Sequence, residues 1–124
     1  MEIRIISGDI IIRATLRDTA TAQAVAAALP IHSQAQTWGE EVYFSVPVNA
    51  SLENDAKDVV EAGELAFWTE GDCIAIGYGK TPISQGDEIR LAARTNIWAD
   101  AIDDVKLLAA VRVGDEIAVT ATEK

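Results

Sequence analysis

The sequence predicts a mainly β fold: a closed barrel of about eight strands capped by two short helices, with residues 1–124 forming a single domain. Three observations predict it. Seven or eight short runs are rich in β-branched and aromatic residues, several with strict two-residue alternation. Only two segments carry helix signals, near 19–29 and 103–110. Strands this short and numerous escape the open-edge problem most simply by closing on themselves. A half-open α+β sandwich is the alternative arrangement of the same elements.

In chain order, "EIRII" and "IIIRATL" flank Ser7-Gly8-Asp9, a turn sequence, and form an antiparallel hairpin. In "DTATAQAVAAALP", Asp18 or Thr19 caps a helix that alanine favours and Pro30 stops, with Ala24, Val25, Ala28 and Leu29 as its apolar stripe. "IHSQAQ" and "EVYFSVPV" alternate as strands. "NASLENDAKDVVEAG" accommodates a helical turn, or a strand through Val59 and Val60. "ELAFW", "CIAIGYG" and "TNIWADA" are further strands. "DDVKLLAAV" is a short helix with an acidic start that Asp103 caps, and "EIAVTAT" is the last strand, after the Val113-Gly114-Asp115 turn. No internal repeat, low-complexity tract or linker interrupts this series.

At 124 residues such a chain buries roughly two-thirds of its unfolded surface without staples. Ten Lys and Arg against twenty Asp and Glu give a net charge of −10. That field repels phosphate backbones and anionic headgroups, so the expected partners include neither nucleic acid nor a membrane. Between Arg17 and Arg90 only Lys57 and Lys80 carry fixed positive charge, so no basic stripe overrides the balance. Cys73 is the only cysteine, which rules out an internal disulfide and suits a reducing, cytoplasmic setting. "MEIRIISGDIIIRATL" is broken by Glu2, Arg4, Asp9 and Arg13 and reads as neither signal peptide nor span.

Four stretches, "AAALP" (26–30), "WGEEVYFSVPV" (38–48), "GELAFWTEG" (63–71) and "GYGKTPISQGDEIR" (77–90), occur in an order and spacing that resemble the cyclophilin-like domains of uncharacterised bacterial and archaeal proteins. The resemblance covers most of residues 1–120 and implies the cyclophilin architecture, a closed barrel of about eight strands with two capping helices. It does not supply an activity. One departure stands out: the family's strand after the Thr-Pro loop usually carries a glycine shortly after its asparagine, whereas this chain reads "TNIWADAIDD", with Trp98 and Ala99 there.

Cyclophilins isomerise prolyl bonds with an arginine, carried by the strand after the first helix in a motif like "FHR…FMxQGGD", that bonds the prolyl amide. This chain has "IHSQAQ" at that place, and its "SQGDE" (84–88) comes far too late. Arg13 reads as a solvated strand residue. The expectation is therefore a binding domain rather than an isomerase, because fold does not carry function. A degenerate enzyme and a structural or subunit-interface module are the alternatives, and an oligomer is compatible with either.

Other chemistry finds little support. His32 is the only histidine and alternates with glutamines on a polar strand face, so a nucleophile–base–acid triad has no base. No HExxH or calcium-loop spacing exists, so no metal and no cofactor is expected. Asp55, Asp58 and Glu61 read as a solvated acidic face, and "GYGKTP" lacks Walker spacing, with a proline where a helix would have to start.

The aromatic residues are more informative. Alternation in "EVYFSV" puts Val42, Phe44 and Val46 on the core face and turns Tyr43 outward, and in "ELAFWTEG" it pairs Leu65 with Phe67 and turns Trp68 away. Tyr43 and Trp68 each join an apolar body to a polar tip, as binding clefts use. Pro82 rigidifies a loop at a strand end and Thr81 supplies a hydroxyl there. The candidate ligand site is accordingly Tyr43, Trp68, Thr81 and Pro82, for a small molecule or a peptide that is neutral or cationic in view of the net charge.

Overall fold

The first two strands show how locally this fold is specified. In a computed structural model describing residues 1–122, β1 (Glu2–Ser7) and β2 (Ile10–Leu16) pair antiparallel from Glu2↔Thr15 to Ser7↔Ile10. Their turn places Gly8 at φ 59°, the left-handed region that glycine enters without strain. Alternation then sends Ile3, Ile5, Ile12 and Ala14 inward, each at most 1% exposed. Residues 123–124 of the expected domain lie outside the described residues.

The other strands are β3 (Ile31–Gln34), β4 (Gln36–Thr37), β5 (Glu41–Ser45), β6 (Lys57–Val60), β7 (Glu64–Trp68), β8 (Cys73–Gly77), β9 (Ile89–Ala101) and β10 (Glu116–Ala121). Nine of them follow one another in the order β3-β10-β1-β2-β9-β7-β8-β5-β4, while β6 pairs with β9 off this path. The ends of the path, β3 and β4, are consecutive in sequence but not hydrogen-bonded to each other, which leaves one unsealed seam in a nearly closed barrel. Ala35 joins them there; its N–H donates to Asp115 O at 2.8 Å and its carbonyl accepts from Gly114 N–H at 2.8 Å. The chain itself thus crosses the seam. The expected eight strands become ten because the 31–37 run divides at Ala35 and because Lys57–Val60 is a strand rather than a helical turn.

Phe44, Phe67 and Trp98 fill the barrel, all fully buried, and Trp98 Nε1–H donates to Ala66 O at 3.2 Å. Helix α1 (Ala20–Ala28) is capped by Thr19, whose hydroxyl accepts from Ala22 N–H. The expected stripe faces the core, with Val25 fully buried and Ala24, Ala28 and Leu29 partly buried against the core cluster, and the buried face extends to Thr21 and Ala22. The extension at Thr21 has a polar cause. Thr21 Oγ1 donates to Glu53 at 2.6 Å and accepts from the fully buried Asn96 Nδ2 at 2.9 Å, and Asn96 Oδ1 accepts from Glu53 N–H at 2.8 Å. A buried asparagine must be satisfied, and Thr21 in the first turn of the helix does so.

The second helix is a 3-10 helix (Val105–Ala110) that buries Val105 and Leu108. Its cap is Asp104, which accepts from Lys106 N–H at 2.9 Å, not Asp103. Asp103 instead receives Arg13 from three donors, the backbone N–H at 2.8 Å, Nε at 3.0 Å and Nη2 at 2.8 Å. That pairing holds the Asp103 carboxyl down at about 2. Arg13 remains half-exposed, as a surface strand residue would, but its guanidinium is engaged by Asp103 through Nε and Nη2.

β8 is buried at every position, Cys73 to Gly77. One face meets the barrel interior. The other meets a second apolar cluster on the outside of the wall, formed by Val60, Ala66, Ala75, Ile89, Leu91 and Ile97 with Tyr43 against it. That outer layer positions the site.

Candidate ligand-binding cleft

Strand β9 begins earlier than expected, at Ile89 rather than near Thr95, and does two jobs. Its second half pairs with β7 and β2 in the barrel wall. Its first half pairs with β6 through Val60↔Ile89 and Val59↔Arg90, then Lys57↔Thr95 after a register shift. Between these pairs β9 has more residues than β6, so it bulges at Leu91–Arg94. The β6–β9 ribbon forms a flap lying over the outer face of β7, β8 and β5. Gly77 permits the close approach, because a Cβ there would collide with Ile89 Cγ2.

Beneath the bulge is a cleft of about 210 Å³. Its floor is the outer face of the wall, where register aligns Glu41 with Gly77, Tyr43 with Ala75 and Trp68 with Cys73. Leu91, Ala92, Ala93 and Thr95 form the roof, and Trp38 closes one end. Trp38, Tyr43 and Trp68 are all half-buried. The Trp68 indole lies over Gly71, where any side chain would displace it.

Two polar atoms of this cleft are buried without a hydrogen-bond partner: Glu41 Oε1 and Trp68 Nε1. Native folds rarely leave such groups unmatched, since each costs about 1–3 kcal/mol and more when charged. Glu41 is 6% exposed, and burial pushes its carboxyl up to about 7. No Lys, Arg or His lines the cleft to offset it. Cys73, also on the wall, is an unlike case: burial raises its thiol, and Sγ donates to Gly71 O at 3.3 Å. It is a satisfied thiol rather than an activated one. Chemically, the arrangement offers three rings, one buried unpartnered N–H donor and one carboxyl that ionises near neutrality.

The structure brings Tyr43 and Trp68 together on the cleft wall and leaves Thr81 and Pro82 outside it. Thr81 is buried, and its hydroxyl donates to the Arg90 carbonyl and contacts Ser84 Oγ at 3.2 Å. Pro82 is exposed, and its Cδ would lie 2.9 Å from a Cβ on Gly39. That loop backs the turn carrying Trp38 and Glu41: Glu40 N–H donates to Lys80 O at 2.8 Å, and Lys80 N–H donates to Glu40 Oε1 at 2.9 Å. Its hydroxyl and ring therefore support the cleft from behind. Glu41 and Trp38 were absent from the sequence-derived site, although two-residue alternation already places Glu41 on the face of Tyr43. The bulge residues had no comparable signal. Two larger, more open grooves near the β1–β2 turn, of about 500 and 520 Å³, contain no unpartnered buried polar side chain.

The Cyclophilin-like family matches residues 1–120. The chain belongs to that family. This cyclophilin-like domain is similar to the hypothetical protein AF2241 from Archaeoglobus fulgidus, known from a solution structure: TM-score 0.84 and 35% identity, over 98% of this chain and 95% of that one. It is also similar in fold to McbB, solved in complex with tryptophan, with TM-score 0.70 and 13% identity, over 98% of this chain and 45% of that one. No curated protein matches it. Among the described residues of the cyclophilin-like domain, no helix is long and apolar enough to cross a membrane, and no cluster of three His, Cys, Asp or Glu is placed to hold a metal.

Proposed function

We propose that this cyclophilin-like domain binds a small molecule in the cleft between its barrel wall and the β6–β9 flap. The observation that carries the reading is the pair of unpartnered buried groups, Glu41 Oε1 and Trp68 Nε1, on one cleft wall. A ligand that presents a donor to the first and an acceptor to the second removes both penalties at once. The three half-buried rings supply the apolar contact, and the small volume favours a compact ligand over a long peptide.

A fragment screen followed by the Trp68 indole N–H resonance tests this. Ala93→Phe, on the roof, plugs the cleft from its rim without touching the barrel core. Fragments that shift the Trp68 signal in the parent protein and lose affinity in the variant, at unchanged urea midpoint, support the site. Hits that bind both proteins equally, or none that moves the Trp68 signal, overturn it.

A second reading has one observation in its favour. A buried carboxyl ionising near 7 suits general acid–base catalysis, so the ligand of this cleft would be a substrate. Turnover of a bound fragment, abolished by Glu41→Gln, distinguishes it from binding alone. Cyclophilin-type isomerisation is disfavoured, because the Arg13 guanidinium is held by Asp103.

A further inference from the structure

We infer that the cleft selects a small organic cation, a primary or secondary ammonium group on a short apolar or aromatic body, with the ammonium on Glu41 and the body among Trp38, Tyr43 and Trp68. This deepens the proposed function and rests on the cleft being a ligand site.

The chain treats Glu41 differently from several less buried carboxylates. Glu64 meets Lys57 Nζ at 2.7 Å and Arg17 Nη2 at 3.0 Å. Glu53 accepts from the Thr21 hydroxyl at 2.6 Å and from its N–H at 3.2 Å. Glu88 meets Arg90 Nε at 2.6 Å. Glu41 lies deeper than these, yet its Oε1 has no partner, and the cleft contributes no cation of its own. A fold that supplies donors to Glu53, Glu64 and Glu88 and none to the more deeply buried Glu41 Oε1 leaves that place to something that arrives with its own positive charge.

The rings point the same way. Aromatic faces attract ammonium groups, most strongly where water is excluded, and three aromatic residues share this cleft with the carboxylate. Trp68 Nε1–H asks in addition for an acceptor, such as a hydroxyl or ether oxygen on the body of the ligand. The cleft, at about 210 Å³, is smaller than the usual drug-sized site of about 300–1,000 Å³, which limits the body to roughly one ring and a short chain. The −10 net charge adds a long-range pull on cations. Facing Glu41, Tyr43 on its own strand and Cys73 on β8 are the titratable side chains of the cleft wall; the roof from Leu91 to Ala93 with Thr95 adds none.

Three probes of one shape separate charge from fit: tyramine as the ammonium, tyrosol as its neutral alcohol and 4-hydroxyphenylacetate as its anion. Affinities are measured by calorimetry, with the Trp68 indole N–H resonance reporting the place of binding. At about pH 8 tyramine binds about tenfold or more tighter than tyrosol, the scale of one charge-assisted hydrogen bond, and the anion binds weakest. In Glu41→Gln, and in the parent protein at about pH 5.5, the tyramine advantage over tyrosol disappears. The parent's pH dependence carries the test even if the variant folds poorly. Tyramine binding no tighter than tyrosol, or an advantage that survives Glu41→Gln, overturns the cation inference; a Trp68 shift with tyrosol still leaves the cleft standing as a site. If none of the three moves the Trp68 signal, both the inference and the site fall.

Discussion

The Thr81 hydroxyl donates to the main-chain carbonyl of Arg90, and this bond ties the loop after β8 to the base of the flap. Ser84 Oγ reinforces the tie by accepting from Thr81 N–H at 2.9 Å and from Arg90 N–H at 3.2 Å. Arg90 in turn meets Asp58 on β6 at 2.9 Å, so both strands of the flap are held at one corner. A residue outside the cleft therefore sets how its roof sits.

Thr81→Val keeps the shape of the side chain and removes the donor. The Arg90 carbonyl then loses a partner in a half-buried place, and stability should fall by about 1–3 kcal/mol. Hydrogen exchange checks the mechanism. Faster exchange confined to the 57–60 and 89–95 amides supports the tie, and uniform acceleration across the barrel argues against it.

Gly77→Ala should be costly for a different reason. The new methyl meets Ile89 Cγ2, and a well-packed interface resists such an addition at about 1–3 kcal/mol. The expected outcome is a lower urea midpoint together with a displaced roof, read as altered resonances for Leu91 and Ala93. An unchanged midpoint would mean that the flap does not rest on β8.

Two tryptophans offer a matched pair. Trp98 is fully buried and its Nε1–H donates to Ala66 O, so Trp98→Ala should cost about 3–5 kcal/mol. Trp68 is half-buried with an unpartnered N–H, and Trp68→Ala should cost clearly less while removing a cleft wall. Urea midpoints of both variants decide this. Equal losses would return Trp68 to the core and deprive the cleft of a ring.

Glu41 makes stability depend on pH in a direction opposite to the paired acids. Its carboxyl ionises near 7 in the fold against about 4.5 when unconstrained. Below about 4.5 both states are protonated and Glu41 costs nothing. Between about 4.5 and 7 the unfolded chain ionises while the folded protein keeps its buried carboxyl protonated, a loss of about 3 kcal/mol that is complete above about 7. Glu41→Gln removes the loss, so the variant should match the parent near pH 4 and exceed it near pH 8 by about that amount. Denaturant midpoints of the two proteins across that range test it, and a difference that does not vary with pH would show Glu41 to be paired or hydrated.

Much of the barrel was legible locally. The β1–β2 hairpin, the Thr19 cap and the inward turn of Phe44 and Phe67 follow from alternation, turn chemistry and capping, which act within a few residues. The outward turn of Tyr43 and Trp68 follows from the same rule. Less was legible where distant segments decide. The buried face of α1 gained Thr21 through its bonds to Asn96 and Glu53, and the cap role passed from Asp103 to Asp104 because Arg13 claims the former.

By itself, then, the sequence determined the family, the barrel class and two of the rings that line the cleft, because each is written in short-range periodicity or in ordered motifs. The tertiary structure alone decided that β9 extends to Ile89 and bulges over β8, that Thr81 lies behind the cleft rather than in it, and that Glu41 Oε1 is buried at the cleft wall without a partner. The physical reason is that burial and pairing of a charge depend on which remote strand covers it, and a single strand's alternation says only which way the charge points.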